Sequence, residues 1–326
     1  MLIGGSGKRL LEEVAARGYE TVRIPGPANF FGGVRAVARA CRAHAIDLVN
    51  AHSLRMTLLA GLARRLGLSR ASLVTTVHGD PRRLRHRVAR TILERLPDEV
   101  IFVSRQEREA LAEVWGRAVG QVVYSGVELP WPGATEPIDL EAKHGVPRDA
   151  RVIGFVGELS PEKAVGDAIA ALVRLPDDVW LCIVGDGPEE NALRAEACRR
   201  RVERRVVFAG SSSEPERYMV GFCALVLPSR LEGLPVMLRE AGALSIPVIA
   251  ADVGGVREIV VPRETGLLYP TGDVDALVRA LRGMLDDPSR AAALGCAARQ
   301  RIAKVFGMER WADEIEAIFA RVEQAE

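Results

Sequence analysis

The amino-acid sequence predicts an α/β protein built from parallel sheets in two doubly wound domains, and three observations lead there. Short apolar runs alternate with longer amphipathic stretches from one end of the chain to the other. The short runs are apolar on both faces, as strands are when helices cover each side of a sheet. A cluster of three prolines and one glycine at 130–137 then interrupts the pattern, because neither helix nor strand continues through such a stretch. The length of 326 residues agrees, since roughly 150 residues make a domain.

Taken in order, the glycine-rich start Gly4-Gly5-Ser6-Gly7-Lys8 reads as a structural turn into a helix over 9–17. It is not a phosphate loop, because Leu2 takes the first glycine position and Arg9 the hydroxyl position; a dinucleotide loop fails at Leu10. Strands are expected at 46–51, 72–77, 99–103 and 121–124, with helices at 34–43, 56–66, 82–96 and 107–115 between them. The second half repeats the scheme with strands at 152–156, 179–184, 205–208, 224–227 and 247–250. Strands separated by helices imply right-handed βαβ units. In the last segment, Phe306, Trp311, Ile315, Ile318 and Phe319 recur at helical spacing, which suits a closing helix packed back across the domain junction. The expected division is therefore 1–130, a linker at 131–150, 151–305, and the helix at 306–326. Two such domains put a cleft between the carboxyl ends of their sheets.

Composition removes several function classes. Hydrophobic residues make up 48% and charged residues 27%, which describes a globular chain rather than a disordered one. Forty-four basic residues against forty-three acidic leave a net charge of +1, without the basic surplus that holds nucleic acid. Cys41, Cys182, Cys198, Cys223 and Cys296 show no CxxC spacing. That argues against a zinc ribbon or a disulfide framework and fits a reduced, cytoplasmic compartment. No run approaches the ~20 apolar residues that span a bilayer, and the first five residues turn glycine-rich too soon for a signal peptide.

The stretch Pro228 to Ala241 carries the strongest chemical signal. A strand ends at Leu227, a glycine loop follows, and Pro235 stands where a helix takes its first residue. Such a turn aims free backbone N–H groups and the positive helix end at one point, a site for phosphate or another anion. Glu232 in the loop and Glu240 about two helical turns on frame it. By themselves these two carboxylates read equally well as a helix cap with an unrelated exposed glutamate. Three further strand ends lead to the same side of the sheet: 157–163 with Lys163, 185–188 with Gly185 and Gly187, and 207–210 ending at Gly210. The two glycines of 185–188 would let a flat ligand approach the backbone, and carboxyl ends of strands are where open α/β sheets bind ligands.

With these residues in place the second half resembles the donor domain of the family 4 glycosyltransferases, retaining enzymes of the GT-B fold. Glu232 and Glu240 match their E-x7-E element, 157–163 their G-R-L-x-x-x-K element at all but one position, and 185–188 their G-x-G-P turn. Segments 247–255 and 266–273 match P-V-I-A-x-x-x-G-G and G-L-L-x-x-x-x-D. In the first half, 47–52 resembles the D-V-V-H-x-H strand, and Thr76-Val77-His78-Gly79 the T-x-H-G/D loop. The resemblance implies that Lys163, with the amides of Gly233 and Leu234, neutralises a nucleotide diphosphate. It implies that Glu240 holds the ribose, Glu232 the sugar hydroxyls, that the base lies against 185–188, with Gly185 and Gly187, and against Gly210, and that Gly157 belongs to the same donor-binding site. His78 would stand near the sugar and the departing phosphate. No metal and no further cofactor is implied, because helix ends and basic groups do a cation's work.

The sequence departs from the family at two places. Glu158 stands where the family has an arginine, with Arg230 nearby as a candidate substitute, and the first half begins one βα unit late. The implied activity is transfer of a hexosyl unit from a nucleotide sugar to a glycan or lipid-linked acceptor. A nucleotide-sugar 2-epimerase and a nucleotide-sugar-binding protein without turnover share the architecture and stay open. His52 reads equally as a packed turn residue or a site residue, whereas His44, His86 and His144 read as solvated. Arg82, Arg83, Arg85, Arg87, Arg90 and Arg95 make one helix basic, opposed only by Glu94. A solvated face is expected there; contact with the anionic inner face of a membrane, or with a phosphorylated lipid acceptor, is the alternative.

Overall fold

The computed structural model describes residues 2–4, 14–78, 86–116, 119–129 and 136–324. The glycine-rich start, most of the helix expected at 9–17, the basic segment 79–85 and the proline-rich 130–135 lie outside the described residues. The chain divides into two compact units, Met1–Val123 with Asp313–Glu326, and Tyr124–Ala312.

In the first unit, β1 (Leu2–Gly4) pairs in parallel with β2 (Thr21–Arg23). A second parallel sheet runs β3 (Leu48–Ala51), β4 (Ser72–Val77), β5 (Glu99–Phe102) and β6 (Gln121–Val122) in that spatial order. β4 is buried along its whole length, and its hydroxyls are satisfied inside: Thr75 Oγ1 lies 3.0 Å from Thr57 Oγ1, and Thr76 Oγ1 donates to Asn50 Oδ1 at 2.9 Å. A buried hydroxyl needs such a partner. The helices Phe30–Ala43, Leu54–Arg65 and Arg105–Trp115 each begin earlier than hydrophobic periodicity suggests. Asn29, Ser53 and Ser104 cap them by accepting from the N–H three residues on. The first turns, 30–33, 54–57 and 105–108, do not extend the apolar periodicity of the helix that follows, so the cap rather than the periodic pattern marks the start.

In the second unit, β7 (Arg151–Val156), β8 (Val179–Val184), β9 (Val206–Gly210), β10 (Ala224–Leu227), β11 (Val248–Ala251) and β12 (Leu267–Tyr269) form one parallel sheet. Their order across it is β12-β11-β10-β7-β8-β9. Ile153, Phe155, Leu181, Ile183, Leu225 and Ile249 are fully buried in it, as the both-faces-apolar runs require. β12 is a three-residue strand, too short for any alternation to show in the sequence. The winding reverses between β7 and β10, so the loops leaving those two strands open at a topological switch point, where α/β sheets leave a crevice.

The expected closing helix is differently bounded. Phe306 is the last residue of the helix Pro288–Phe306 and is wholly buried, Gly307 breaks the chain in an extended conformation, and a new helix runs Met308–Gln324. The break is held by pairing with an earlier segment: Val127 N–H donates to Phe306 O at 2.7 Å, and Met308 N–H to Val127 O at 3.1 Å. Among the described residues no helix is long and apolar enough to cross a membrane.

Candidate active site

The loops after β7 and β10 meet. Lys163 closes the short 3-10 turn Pro161–Lys163, with Ala164 in the left-handed region ending it. From there Lys163 Nζ donates to Glu232 Oε1 at 2.7 Å. Ser229 Oγ donates to the same oxygen at 2.6 Å. Glu232 is 8% exposed and Ser229 is fully buried, whereas the lysine side chain stays partly open. The two loops are also stitched through their backbones, Arg230 N–H donating to Glu162 O at 2.7 Å.

Pro235 is the residue before the helix Val236–Ala243 rather than its first residue, with ψ in the extended range. Proline suits either place because it has no N–H to leave unsatisfied. No side chain caps this helix and its first turn holds no acid, so its first N–H groups and positive end, which begin four residues after Glu232 in the chain, are left uncompensated by the helix's own side chains. Glu240, on the same helix, is half-buried, and burial pushes its carboxyl above the usual range. Its neighbour Arg239 is buried, is lowered by that burial, and donates through Nη1 to Ser125 O at 2.6 Å.

The glycines divide by what lies beside them. A side chain at Gly185 would strike the carbonyl of Gly157, and one at Gly187 would strike the backbone of Leu159. Their bareness therefore lets the β8 loop lie on the β7 loop, with Leu159 N–H donating to Asp186 O at 2.8 Å. At Gly210 the same construction meets nothing within 4 Å, so that strand end is open. Gly254, after β11, is forced by the carbonyl of Glu232, and Gly255 N–H donates to Gly233 O at 2.9 Å. The loop after β11 is thus a floor for the glutamate loop.

Structure brings together Lys163, Glu232, Gly233, Leu234 and the N-terminal end of the helix that carries Glu240. Glu158 is exposed, and Arg230 forks onto Asp167, with bonds of 2.7 and 3.1 Å. His78 belongs to the first unit, at the end of β4, where its Nε2 lies 2.9 Å from His52 Nδ1 and the two rings stack. Both residues keep an exposed edge, yet desolvation by the surrounding protein lowers both imidazoles, His78 further through His52. His144 was expected in solvent but is half-buried against Tyr218, its Nε2 3.2 Å from the phenol oxygen. Ser229 was missed: a serine two residues past a strand has no signal that singles it out before the fold places it beneath Glu232.

Residues 138–301 match the model of the glycosyl transferases group 1, and residues 2–130 that of glycosyltransferase family 4. The chain belongs to the group 1 glycosyltransferases. It is similar to enzymes of several specificities. It is 32% identical, over 92% of its length and 82% of the relative's, to a GDP-mannose-dependent alpha-(1-6)-phosphatidylinositol monomannoside mannosyltransferase of Mycolicibacterium smegmatis. It is 31% identical over 72% of its length to glycogen synthase of Mycobacterium tuberculosis, of which it spans 56%. Anabaena HepE, solved with UDP-glucose, is 22% identical and superposes with a TM-score of 0.86 over 98% of this chain and 91% of that one. This likeness is one of fold, and the group 1 glycosyltransferase has the GT-B architecture of two parallel-sheet α/β units.

Proposed function

We propose that the protein is a retaining glycosyltransferase that moves a hexosyl unit from a nucleotide-diphospho-sugar to a hydroxyl of a glycan or lipid-linked acceptor, without a metal. The observation that carries this is the buried Glu232 paired with Lys163, on the loop that leads into an uncapped helix, at the point where the sheet reverses.

The chemistry follows from charge. As the bond between sugar and diphosphate breaks, negative charge builds on the leaving phosphate. The Lys163 ammonium, together with the N–H groups of Gly233 and Leu234, stabilises that charge. Glu232 accepts from hydroxyls of the sugar and Glu240 from the ribose. The strand end at Gly210, where a side chain would meet open space, takes the base together with the turn of Gly185 and Gly187. His78 is assigned to the sugar and the departing phosphate by family resemblance. A glycosidase needs an acid and a base or nucleophile flanking the bond, and here one carboxylate is already committed to a lysine and a serine. The match over nearly the whole chain to a mannosyltransferase acting on a phosphatidylinositol mannoside supports a lipid-linked acceptor and makes GDP-mannose the first donor to try.

Calorimetric titration with UDP, GDP and ADP, with magnesium and with EDTA, tests the donor site. One nucleotide binding equally in both conditions, and lost in Lys163→Ala and Glu240→Ala, is the expected result. Release of that nucleotide from its sugar only when an acceptor is supplied, with the anomeric configuration kept, completes the test. Alteration of the donor with no acceptor present would instead mean an epimerase, and binding without any turnover a nucleotide-sugar-binding protein.

A further inference from the structure

We infer that Ser229 is a positioning residue for donor-sugar recognition: its buried hydroxyl, with Lys163, saturates one oxygen of Glu232 and leaves the other as the acceptor for a sugar hydroxyl. The inference rests on the reading of Glu232 as the sugar-binding carboxylate.

The geometry is specific. Lys163 Nζ and Ser229 Oγ both donate to Oε1, at 2.7 and 2.6 Å, while among the described residues no protein donor is bonded to Oε2. A carboxylate has about four lone-pair sites, so two charge-assisted bonds on one oxygen fix the plane of the group and leave its other oxygen unspent. Lysine alone would not do this. Its ammonium sits on a flexible stem, and a carboxylate held at one point turns about that contact.

Ser229, by contrast, is on a rigid mount. It is fully buried at the end of β10. Its carbonyl accepts from Thr271 Oγ1 at 3.2 Å, and the next residue's N–H donates across to Glu162 O. The hydroxyl therefore reaches Glu232 from a fixed direction, and the second bond turns a tether into an orientation. Ser229 Oγ bonds the carboxylate and not the Lys163 ammonium, so its effect is expected on the sugar rather than on the diphosphate.

The test uses the full chain, its nucleoside diphosphate, and nucleotide sugars lacking one hydroxyl at a time. Wild type is expected to lose about tenfold or more in kcat/KM with the deoxy donor whose hydroxyl Glu232 accepts, because a buried acceptor is then left unpaired. In Ser229→Ala that penalty is expected to shrink to about threefold or less, while affinity for the nucleoside diphosphate stays within about twofold of wild type. Ser229→Thr, which keeps the hydroxyl, is expected to keep the wild-type discrimination. A Ser229→Ala enzyme that is uniformly slower but still rejects the same deoxy donor overturns the inference. So does one that loses nucleoside diphosphate binding, because Ser229 would then hold the loop rather than aim the carboxylate. If wild type neither binds a nucleoside diphosphate nor transfers sugar, it is the proposed function that fails.

Discussion

Lys163 Nζ sits 2.7 Å from Glu232 Oε1, joining the loops that leave β7 and β10 on the two sides of the sheet reversal. The pair places the protein's candidate phosphate-binding cation against its candidate sugar-binding anion. A diphosphate entering the site shares the three donors of the ammonium with Glu232, whose negative charge opposes it. Glu232→Gln is therefore expected to bind the free nucleoside diphosphate several-fold more tightly while transfer falls by about two orders of magnitude. Calorimetry and initial rates on the same preparation measure the two. Weaker diphosphate binding in Glu232→Gln would show that the carboxylate does not oppose it.

Removing the other partner has the opposite signature. Lys163→Ala leaves Glu232 buried without its cation, and a stranded charge costs more than the pair contributed. We expect a loss of about 1–3 kcal/mol in urea unfolding, together with loss of diphosphate binding. Glu232→Gln in the same background should recover most of the stability and none of the binding.

Glu240 trades stability for function. Burial raises its carboxyl in the folded state, so the protein binds that proton more tightly than the unfolded chain does. The resulting stability is full below the unfolded value and is lost as pH rises through the folded one. Glu240→Gln should therefore melt about 2–4 °C above wild type near pH 7, with the difference vanishing near pH 4. Nucleotide affinity should fall at both. A variant no more stable at neutral pH would mean that the carboxyl is not strained by its burial.

The two imidazoles titrate in the other direction. Desolvation by the surrounding protein holds His52 and His78 below the usual histidine range, so their contribution is complete above that range and is lost as pH falls through the lowered values. Proton NMR of the ring signals should show both midpoints below 6.5, and His52→Gln should raise that of His78 by removing a neighbouring ring.

The glycines give a structural control. Gly185→Ala would drive a methyl into the carbonyl of Gly157, at a φ of +139°, and backbone cannot give way as a side chain can. We expect a loss of about 3 kcal/mol or more. Gly210→Ala, with open space around it and a φ of +73°, should cost only about 1–2 kcal/mol of backbone strain. Denaturant midpoints for the two variants decide it.

The alternation of apolar runs and amphipathic stretches, the burial of β4, β10 and β11 along their whole length and of most of β7 and β8, and the spacing of Glu232 and Glu240 were all legible in the chain, because each is a local pattern with a local physical cause. Helix starts were less so. Asn29, Ser53 and Ser104 are ordinary polar residues until a helix is known to follow them. β2 and β12, three residues each, are strands only because neighbours pair with them. Gly185 and Gly187 were legible as glycines with a purpose, but the backbone they make room for belongs to a different loop.

By itself, then, the order of residues determined the fold class, the family and which strand ends carry polar groups, since those depend on periodicity and short motifs. Only the tertiary structure decided that Lys163, Ser229 and Glu232 share one oxygen, that His52 faces His78, and that His144 is covered by Tyr218. Residues 163 and 232 are far apart in the chain, and what joins them is the reversal of strand order between β7 and β10. That reversal is set by how the whole sheet packs its helices, and no local run of sequence encodes it.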